Sequence, residues 1–572
     1  MVIRLAYFQV TEYGLYSLYA SDQHALAAKL LPTRGQILVR DGSDGTLHPL
    51  ATNRLSWQVY AVPKEMKDPV AVAHAVSSAL NLPDADIVAR LTKDPTNDQY
   101  EPIAKDAPSD AVENLQSQNL RGVGFLQTTA RLYPEPAIGG QLIGFVSQEK
   151  GQYGAEGSFD KLLSGTPGEI TAEKDASGHR LTFGTTDLVD AVNGSDVVLT
   201  IDRAVQYKAC AEIQDAVKKH QADEGTMVVM NPNTGAIIAM CSSPDFDPSQ
   251  YGKVKNLSVL NNAATFETYE PGSIFKAITL SSGIDANKFT PKTTYNDTGE
   301  EDIDRFKIKN ADLKAHGIQT MTQVLAQSLN TGTIFAERLI GNDLFQKYVK
   351  AFGFGKKTDV QLTPESKGDI SSLARKGSIF DATASFGQGI TVTPVQILAA
   401  YAALGNGGRL VRPYIVDSII HPDGTREVTK PQVVSQPISS RTSRLITGML
   451  VDVVEEGEGK RAGVPGYWVA GKTGTAQVAS SNGTGYQKDV TIGSFAGYAP
   501  ANDPKFVMLV KINHPRDVQW AESSAAPLFG EMANFLLTYY QVPPERPIGK
   551  PLPPPVPPAT SSTAAVSSST RP

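Results

Sequence analysis

The chain has 572 residues, of which 41% are hydrophobic, and its 53 basic and 59 acidic residues give a formal net charge of −6. This length exceeds that of one ordinary domain, so two or more domains are expected. The slight acidic excess leaves no basic footprint for nucleic acid, and the eight histidines show no metal-ligand spacing, so we predict no metal and no other cofactor.

The first 190 residues are polar and of mixed pattern. They contain a predicted strand at residues 57–62 and a predicted helix at residues 70–82, which together favour a small α+β module. The start of the chain, residues 1–10, has too few uninterrupted apolar residues to cross a bilayer. It also lacks the basic start, apolar centre and cleavage site of a signal peptide.

From about residue 195 the sequence has the pattern of a globular module. Strands are predicted at residues 227–230 and 236–241 around an Asn-Pro-Asn-Thr-Gly turn, and a long helical middle follows. Three further strands are predicted at residues 466–478, 493–499 and 505–512, before a closing helix at about residues 528–540. This order predicts an antiparallel sheet of about five strands packed by helices. Cys210 and Cys241 fit either a disulfide or two buried thiols.

The tetrapeptide Ser-Ile-Phe-Lys at residues 273–276 follows Glu-Pro-Gly and opens an apolar run, which predicts a buried helix beginning at Ser273. A hydroxyl there faces unpaired N–H groups and the positive end of the helix dipole, both of which favour a nucleophilic oxygen. Lys276 lies one turn later and can accept the serine proton if burial and a second cation lower its pKa. The alternative is a core helix with an N-cap serine and a surface lysine.

Ser328 and Asn330 follow a short amphipathic stretch at residues 321–325 and precede Thr-Gly-Thr. The pattern predicts a helix-to-loop junction that lines a cleft, where a hydroxyl and an amide can relay a proton and hold a substrate. The alternative is a polar C-cap that closes a helix before Gly332.

Lys472, Thr473, Gly474 and Thr475 lie in a predicted strand that contains two glycines. Interior glycines weaken a strand unless another backbone approaches closely, as a peptide substrate adding to an exposed edge would do. The lysine and the threonine hydroxyls would then meet the terminal carboxylate of that peptide. The alternative is a bulged edge strand without a ligand.

The three motifs occur in the order Ser-x-x-Lys, Ser-x-Asn, Lys-Thr-Gly, which is the set found in serine β-lactamases and penicillin-binding proteins. A second Ser-x-x-Lys at residues 158–161 lies in a glycine-broken stretch. A second Ser-x-Asn at residues 480–482 follows the Lys-Thr-Gly motif instead of preceding it. Three features in the right order, each with fitting local structure, therefore favour a serine acyl-transfer site.

On these motifs the chain resembles a class B penicillin-binding protein, a peptidoglycan D,D-transpeptidase, and is most similar to the division-associated branch. The preference for the division branch rests on the amino-acid sequence at residues 469–477 and 494–500. The resemblance covers nearly the whole chain, although residues 39–42 differ from the motif that is usual at this place in the N-terminal module. Its further motifs are Arg-Gly-Gln-Ile at 34–37, Arg-Leu-Tyr-Pro at 131–134, Gly144, Gly-Ala-Glu at 154–156 and Gly-Gln-Gly-Ile-Thr-Val-Thr-Pro at 387–394.

The resemblance implies an α+β multidomain fold. Its parts would be a juxtamembrane helix at residues 1–31, an N-terminal α+β pedestal or dimerisation-type module at 32–190, and a penicillin-binding, serine β-lactamase-like transpeptidase domain at 195–542. Residues 543–572 are rich in Pro, Ser and Thr and are predicted to form a disordered tail.

The resemblance also implies the catalytic roles. Ser273 would attack the penultimate D-Ala carbonyl of a stem peptide ending in D-Ala-D-Ala, Lys276 would take its proton, and Ser328 would pass a proton to the leaving D-Ala. Asn330 would hold the donor amide and Lys472 would tune Ser328. An amine of a neighbouring stem would then take the acyl group and form a cross-link, whereas β-lactams would stall at the acyl stage.

Substrate binding is implied for the segment after Lys472. Thr473, Gly474 and Thr475 would bind the donor, with both threonines on its terminal carboxylate. The backbone N–H groups of Ser273 and Thr475 would form the oxyanion hole.

Members of this family carry one N-terminal transmembrane helix, which residues 1–10 do not supply. We therefore expect that the anchor is missing from this numbering and that the upstream reading frame encodes roughly 20 apolar residues. The protein would then lie on the extracytoplasmic face of the cell membrane. The implied partners are peptidoglycan stem peptides, β-lactams, a membrane glycan polymerase and other division proteins.

Several alternatives share the motifs. An elongation-type transpeptidase has the same catalytic residues, and a D,D-carboxypeptidase uses water as the acceptor. A class A β-lactamase would need a deacylating glutamate, and the setting of Glu365 does not fit that role. A silent penicillin-binding scaffold would tend to lose Ser273 or Lys276, and a sensor would need a transmembrane signalling unit.

Overall fold

The structure is a computed structural model and describes residues 25–173, 186–480 and 485–547. The predictions for residues 1–10 and for the tail from residue 548 onwards lie outside these ranges. Among the helices of the described ranges, none combines the length and the apolar character that crossing a membrane requires.

The N-terminal half contains the long strand β3, on which three helices pack around Val59, Val76 and Leu91. The predicted strand and helix in this region are confirmed. Its strands are β1 (Ala25–Leu30), β2 (Ile37–Arg40), β3 (Leu47–Ala61), β4 (Glu101–Ala107), β5 (Val123–Leu132), β6 (Phe145–Ser147), β7 (Lys150–Gln152), β8 (Gly168–Glu173), β9 (Thr186–Val189) and β10 (Asp196–Asp202). Its helices are α1 (Pro69–Leu80), α2 (Asp84–Thr92), α3 (Ser109–Ser117), α4 (Gly140–Ile143), α5 (Gly154–Ser158) and α6 (Asp160–Ser164).

Residues 25–30, which we predicted to belong to a helix, form strand β1. This strand pairs antiparallel with β8, from Ala25 opposite Glu173 to Leu30 opposite Gly168. Alanine and leucine favour a helix, but such preferences differ by less than about 1 kcal/mol per residue, so pairing with a distant strand decides the local structure. The helix prediction was wrong for these six residues, and residues 1–24 lie outside the described ranges.

The C-terminal half adds the remaining elements. Its strands are β11 (Glu224–Met230), β12 (Ile237–Ser243), β13 (Thr294–Asp297), β14 (Glu300–Ile303), β15 (Phe306–Lys309), β16 (Gly317–Thr320), β17 (Leu410–Val411), β18 (Val416–Ile420), β19 (Arg426–Val428), β20 (Val433–Ser435), β21 (Ala470–Ala479), β22 (Tyr486–Ala499) and β23 (Phe506–Asn513). Its helices are α7 (Arg203–Lys219), α8 (Ala263–Phe266), α9 (Lys276–Asp285), α10 (Met321–Ala326), α11 (Asn330–Ile340), α12 (Asn342–Ala351), α13 (Ser378–Ser385), α14 (Pro394–Gly405), α15 (Ser440–Glu455) and α16 (Ala525–Tyr539).

Five of these strands form one antiparallel sheet in the order β12-β11-β23-β22-β21, which confirms the predicted sheet. Side chains alternate along β23, because successive residues of a strand point to opposite faces. Met508 and Val510 join the core that α7 and α16 cover, whereas Val507 and Leu509 join the larger core that contains α9 and α14. Strand β21 forms one edge of this sheet.

A second sheet joins the two halves in the order β19-β18-β10-β2-β3-β4, with β5 added on β3. Close to it lies a buried carboxylate, Glu156, whose oxygens are 2.6 Å from Arg34 Nη2 and 2.6 Å from Arg131 Nε. A buried charge is tolerated only when opposite charges and hydrogen bonds replace its lost water. The arginines and the glutamate of the N-terminal motifs therefore have a structural role.

Cys210 of α7 and Cys241 of β12 form a disulfide. Both residues are almost fully buried, in the core between α7, α16 and the five-stranded sheet. This contact decides between the two alternatives that the sequence left open.

Candidate active site

Ser273 lies in a 3-10 helix, Gly272–Phe275, that continues directly into α9. The predicted helix is therefore confirmed, except that its first turn is a 3-10 turn. Gly272 has φ +58°, and a Cβ there would lie 3.2 Å from Ala476 Cβ of β21. A glycine is needed because it adopts this backbone at little cost and lets the two segments approach. The turn that carries Ser273 thus packs directly against β21.

Lys276 is fully buried at the start of α9. Its Nζ donates hydrogen bonds to the backbone oxygen of Ser328 and, over 3.3 Å, to Ser328 Oγ. Burial, reinforced by the charge of Lys472, holds the pKa of Lys276 well below its ordinary value. The amine is therefore suited to accept a proton. Among the described residues, Ser273 Oγ has no hydrogen-bond partner, which leaves it available for attack.

Ser328 lies between helices α10 and α11, with φ +57°. This left-handed conformation is uncommon for a residue with a Cβ and is typical of functional sites. The observed junction differs from the predicted one. A second helix, α11, begins at Asn330, where the sequence pattern predicts a loop. The left-handed turn brings both Ser328 oxygens to Lys276.

Asn330 does not join that contact. Its Nδ2 donates a hydrogen bond of 2.8 Å to the backbone oxygen of Lys309 at the end of β15. The next residue, Thr331, donates from Oγ1 to Asp297 Oδ1 over 2.6 Å, and Asp297 also accepts from Asn310 Nδ2. Asp297 is buried, and these donors keep its pKa below the ordinary value against the opposing effect of burial. This network anchors the first turn of α11.

Lys472 of β21 is fully buried, and its Nζ donates to the backbone oxygen and to Oγ1 of Thr473, each over 3.1 Å. Burial lowers the pKa of Lys472, and the carboxylate of Glu458 opposes this effect. The charge of Lys472 lowers the pKa of Lys276, as predicted for a second cation near this base, and its influence on Ser328 stays a prediction.

The glycines of β21 allow neighbouring segments of the protein to pack closely against this strand. A Cβ on Gly474 would lie 2.8 Å from Ser494 Oγ, 2.9 Å from Ile274 Cγ2 and 3.0 Å from the backbone oxygen of Pro271. A Cβ on Gly471 would lie 2.5 Å from the ring of Phe495. The protein's own 3-10 turn and neighbouring strand therefore account for these glycines, and the addition of a peptide substrate to this edge stays a prediction.

Thr475 follows on the same strand, and its Oγ1 accepts a hydrogen bond of 3.0 Å from Ala521 N. The hydroxyl hydrogen is still available, so the side chain can donate to an anion. With Thr473 it gives this edge strand two hydroxyls beside one buried cation, which is a suitable setting for a carboxylate.

Sequence reasoning missed Glu458. Its Oε2 lies 3.5 Å from Lys472 Nζ and accepts from Thr473 Oγ1 over 3.4 Å. Glu458 occurs in the run Glu-Glu-Gly-Glu at residues 455–458, which is typical of a solvated surface segment. The local sequence pattern therefore does not predict its contact with Lys472.

Comparison with known proteins identifies two family models in this chain. The penicillin-binding protein transpeptidase domain matches residues 225–534, and the penicillin-binding protein dimerisation domain matches residues 29–199.

The similar proteins include stage V sporulation protein D of Bacillus subtilis, 33% identical over 95% of this chain and 84% of the relative. The peptidoglycan D,D-transpeptidase FtsI of Escherichia coli is 29% identical over 95% of this chain and 90% of the relative. Penicillin-binding protein 3 of Mycobacterium tuberculosis, solved with aztreonam, is 26% identical with a TM-score of 0.70, covering 91% of this chain and 99% of that one. The chain therefore belongs to the penicillin-binding protein family, with an N-terminal dimerisation domain followed by a transpeptidase domain.

Proposed function

We propose that this protein is a peptidoglycan D,D-transpeptidase that cross-links stem peptides through an acyl-enzyme on Ser273. The observation that carries the proposal is the position of Lys276, which is fully buried, one turn from Ser273 and hydrogen-bonded to Ser328. A buried amine of lowered pKa is the base that a weakly nucleophilic hydroxyl needs. The transpeptidase name of the FtsI relative agrees with this chemistry.

In the first half-reaction, Ser273 Oγ attacks the carbonyl carbon of the penultimate D-Ala while its proton passes to Lys276 Nζ. The backbone N–H groups of Ser273 and Thr475 stabilise the oxyanion, and losing one such donor costs roughly 2.7–4 kcal/mol of barrier. When the amide C–N bond breaks, Lys276 returns the proton through Ser328 to the departing nitrogen. The terminal D-Ala leaves, and an ester remains on Ser273.

In the second half-reaction, an amine of a neighbouring stem attacks the ester carbonyl. Its proton passes through Lys276 to Ser273 Oγ as the C–O bond breaks, so the new amide leaves and the enzyme is restored. The contacts that hold the donor belong to the first half-reaction, before the terminal D-Ala leaves. Lys472, Thr473 and Thr475 then hold its terminal carboxylate, and Asn330 holds the donor amide after exchanging its bond to Lys309.

The biological setting follows from the resemblance. We infer that the protein acts in septal wall synthesis on the extracytoplasmic face of the cell membrane, held there by an anchor. A membrane glycan polymerase and other division proteins would be its partners. An elongation role uses the same catalytic residues and is the alternative setting.

The class A β-lactamase alternative is disfavoured by the contacts of Glu365. Its Oε1 accepts from Thr358 N and Oγ1, each over 2.6 Å, and its Oε2 accepts from Asp359 N. A carboxylate held by three donors of its own loop is poorly suited to activate water for deacylation.

The test uses the purified protein and a Ser273→Ala variant, each incubated with a penicillin and measured by intact mass and peptide mapping. We expect a lasting adduct on the peptide that contains Ser273, and none in the variant. Drug consumed without an adduct would indicate a hydrolase. An inert wild type would indicate a scaffold.

A further inference from the structure

Glu458 lies in the loop between α15 and the 3-10 helix Lys460–Ala462. Its backbone N donates to the oxygen of Ala326 at the end of α10, two residues before Ser328. Its side chain is 43% exposed, whereas the side chain of its partner Lys472 is fully buried. The carboxylate therefore reaches the buried cation from the solvent side.

Two buried lysines interact electrostatically with this carboxylate. Lys472 faces it from β21, and Lys276 at the start of α9 is close enough for the charges of Lys472 and Glu458 to affect its pKa. The uncharged Ser328, between α10 and α11, bonds to Lys276. The other charged side chains of its own loop point elsewhere. Glu455 pairs with Arg546, Arg461 donates to Ser523 Oγ, and Glu456 and Lys460 are exposed.

Two buried lysines of one site repel each other when both are charged, so one of them tends to be neutral. Among the residues that the structure describes, Glu458 is the carboxylate that forms an ion pair with one of the two lysines, and that contact can decide which one is charged. Glu458 contacts Lys472 and Thr473, and the bonds of Lys276 go to Ser328. This asymmetry favours the charge on Lys472, which must hold an anionic substrate, and leaves Lys276 free as the base.

We propose that Glu458 is a positioning residue that keeps Lys472 protonated and Thr473 oriented, and so assigns the base role to Lys276. This inference rests on the proposed function. The half-exposed side chain can turn into solvent when a substrate carboxylate arrives at Lys472 and Thr473. Glu458 then acts as a counter-ion that the donor terminus replaces.

The inference predicts a change in the shape of the pH profile. Acylation needs a neutral Lys276, so the rate falls on the acidic limb of the pH profile as Lys276 becomes protonated. It also needs a protonated Lys472, so the rate falls on the alkaline limb as Lys472 loses its proton. Glu458→Gln removes the negative charge that raises the pKa of both lysines, so both limbs move to lower pH. At alkaline pH the rate should fall roughly two- to five-fold relative to wild type, the range expected for a partly exposed ion pair.

The experiment measures the rate of acylation by a fluorescent penicillin from pH 5 to 10, for wild type, Glu458→Gln, Glu458→Asp and Glu456→Gln. Thermal melting at each pH confirms that all four are folded. Glu458→Asp keeps the charge and should stay closer to wild type. Glu456→Gln makes the same charge change on an exposed neighbour and should leave both limbs in place.

A Glu458→Gln profile that is unshifted, or only lower by the same factor at every pH, would overturn the inference and leave the proposed function intact. A shift of equal size in Glu456→Gln would also overturn it. A wild type that the penicillin does not acylate would overturn the proposed function, and the inference with it.

Discussion

Lys276 Nζ lies 3.3 Å from Ser328 Oγ, although the two residues are 52 positions apart in the chain. The contact depends on a left-handed backbone at Ser328 and on complete burial of the lysine. It links the proposed base to the hydroxyl that we propose passes the proton on. Two short motifs are thereby joined in one hydrogen-bonded pair.

The base role of Lys276 predicts a large loss on substitution. Lys276→Met keeps an unbranched chain in the same space but cannot accept a proton, so acylation of Ser273 by penicillin should slow by roughly 10²–10⁴-fold, the usual contribution of general base catalysis. Stopped-flow fluorescence gives the rate. Lys218→Met, at an exposed site of α7, serves as the control and should react like wild type.

The lowered pKa of Lys276 also predicts how wild-type acylation depends on pH. Because burial and Lys472 favour the neutral amine, the base should stay active well below the pH at which an ordinary lysine becomes protonated. The rate should fall only as pH drops through this lowered pKa. An acidic limb located near the ordinary lysine pKa would contradict the base assignment.

Close packing of β21 on the 3-10 turn predicts that Gly474→Ala impairs activity. The new Cβ would meet Ser494 Oγ, Ile274 Cγ2 and Pro271 O at 2.8–3.0 Å, so the strand and the turn that carries Ser273 must separate. A misplacement of about 1 Å can cost about 10²-fold in rate. We expect slow acylation in a protein that still melts cooperatively.

Gly448→Ala is the matched control for that substitution. Gly448 lies inside helix α15, and a Cβ there would meet no atom of the described ranges within 4 Å. Alanine should stabilise the helix by about 0.5–1 kcal/mol and leave acylation unchanged. Equal rates in Gly474→Ala and wild type would contradict the packing argument.

The disulfide predicts sensitivity to reductant. Cys210 and Cys241 are separated by 31 residues, and closing such a loop restricts the unfolded chain by about 3–4 kcal/mol in the chain-entropy model. The melting temperature of wild type should therefore fall when a strong reductant is added. A Cys210→Ala/Cys241→Ala protein should melt at the lower temperature with or without reductant. A wild-type melting temperature that reductant leaves unchanged would show that the bridge contributes little.

The buried carboxyl of Glu337 predicts a stability that depends on pH. The residue is 3% exposed, and its Oε1 has no hydrogen-bond partner within the described part of the chain. Burial, followed by the charge of Asp381, raises its pKa to about 7. The folded state thus holds this proton more tightly than the unfolded state. The associated stability is complete below about pH 4.5 and is lost as pH rises to about 7, with a magnitude of about 3 kcal/mol.

Urea unfolding at several pH values measures this dependence. Glu337→Gln should flatten the slope between about pH 5 and pH 7, because the amide does not titrate in this range. Glu531→Gln, at an exposed position of α16, should leave the slope unchanged. A wild-type slope that Glu337→Gln does not alter would contradict the assignment.

Much of the fold was predictable from local pattern. The strands around residues 231–235, the late strands and the closing helix follow from alternation, turn residues and apolar periodicity, which are properties of neighbouring residues. The order of the three motifs identified the family in the same way. The experiments above address several of the site residues, and the individual roles stay predictions for Ser273, Lys276, Ser328, Asn330, Lys472, Thr473, Gly474 and Thr475.

Other features were decided by contacts between residues far apart in sequence. Residues 25–30 became a strand because β8 pairs with them, and the cysteines became a disulfide because α7 packs on β12. Glu458 entered the site because the loop after α15 lies against α10 and β21. Periodicity reports which face of an element is buried, but only tertiary packing determines what that face meets. The sequence alone therefore determined the family and the residue types of the site, whereas only the tertiary structure decided that Glu458 pairs with Lys472 and that Lys276 bonds to Ser328.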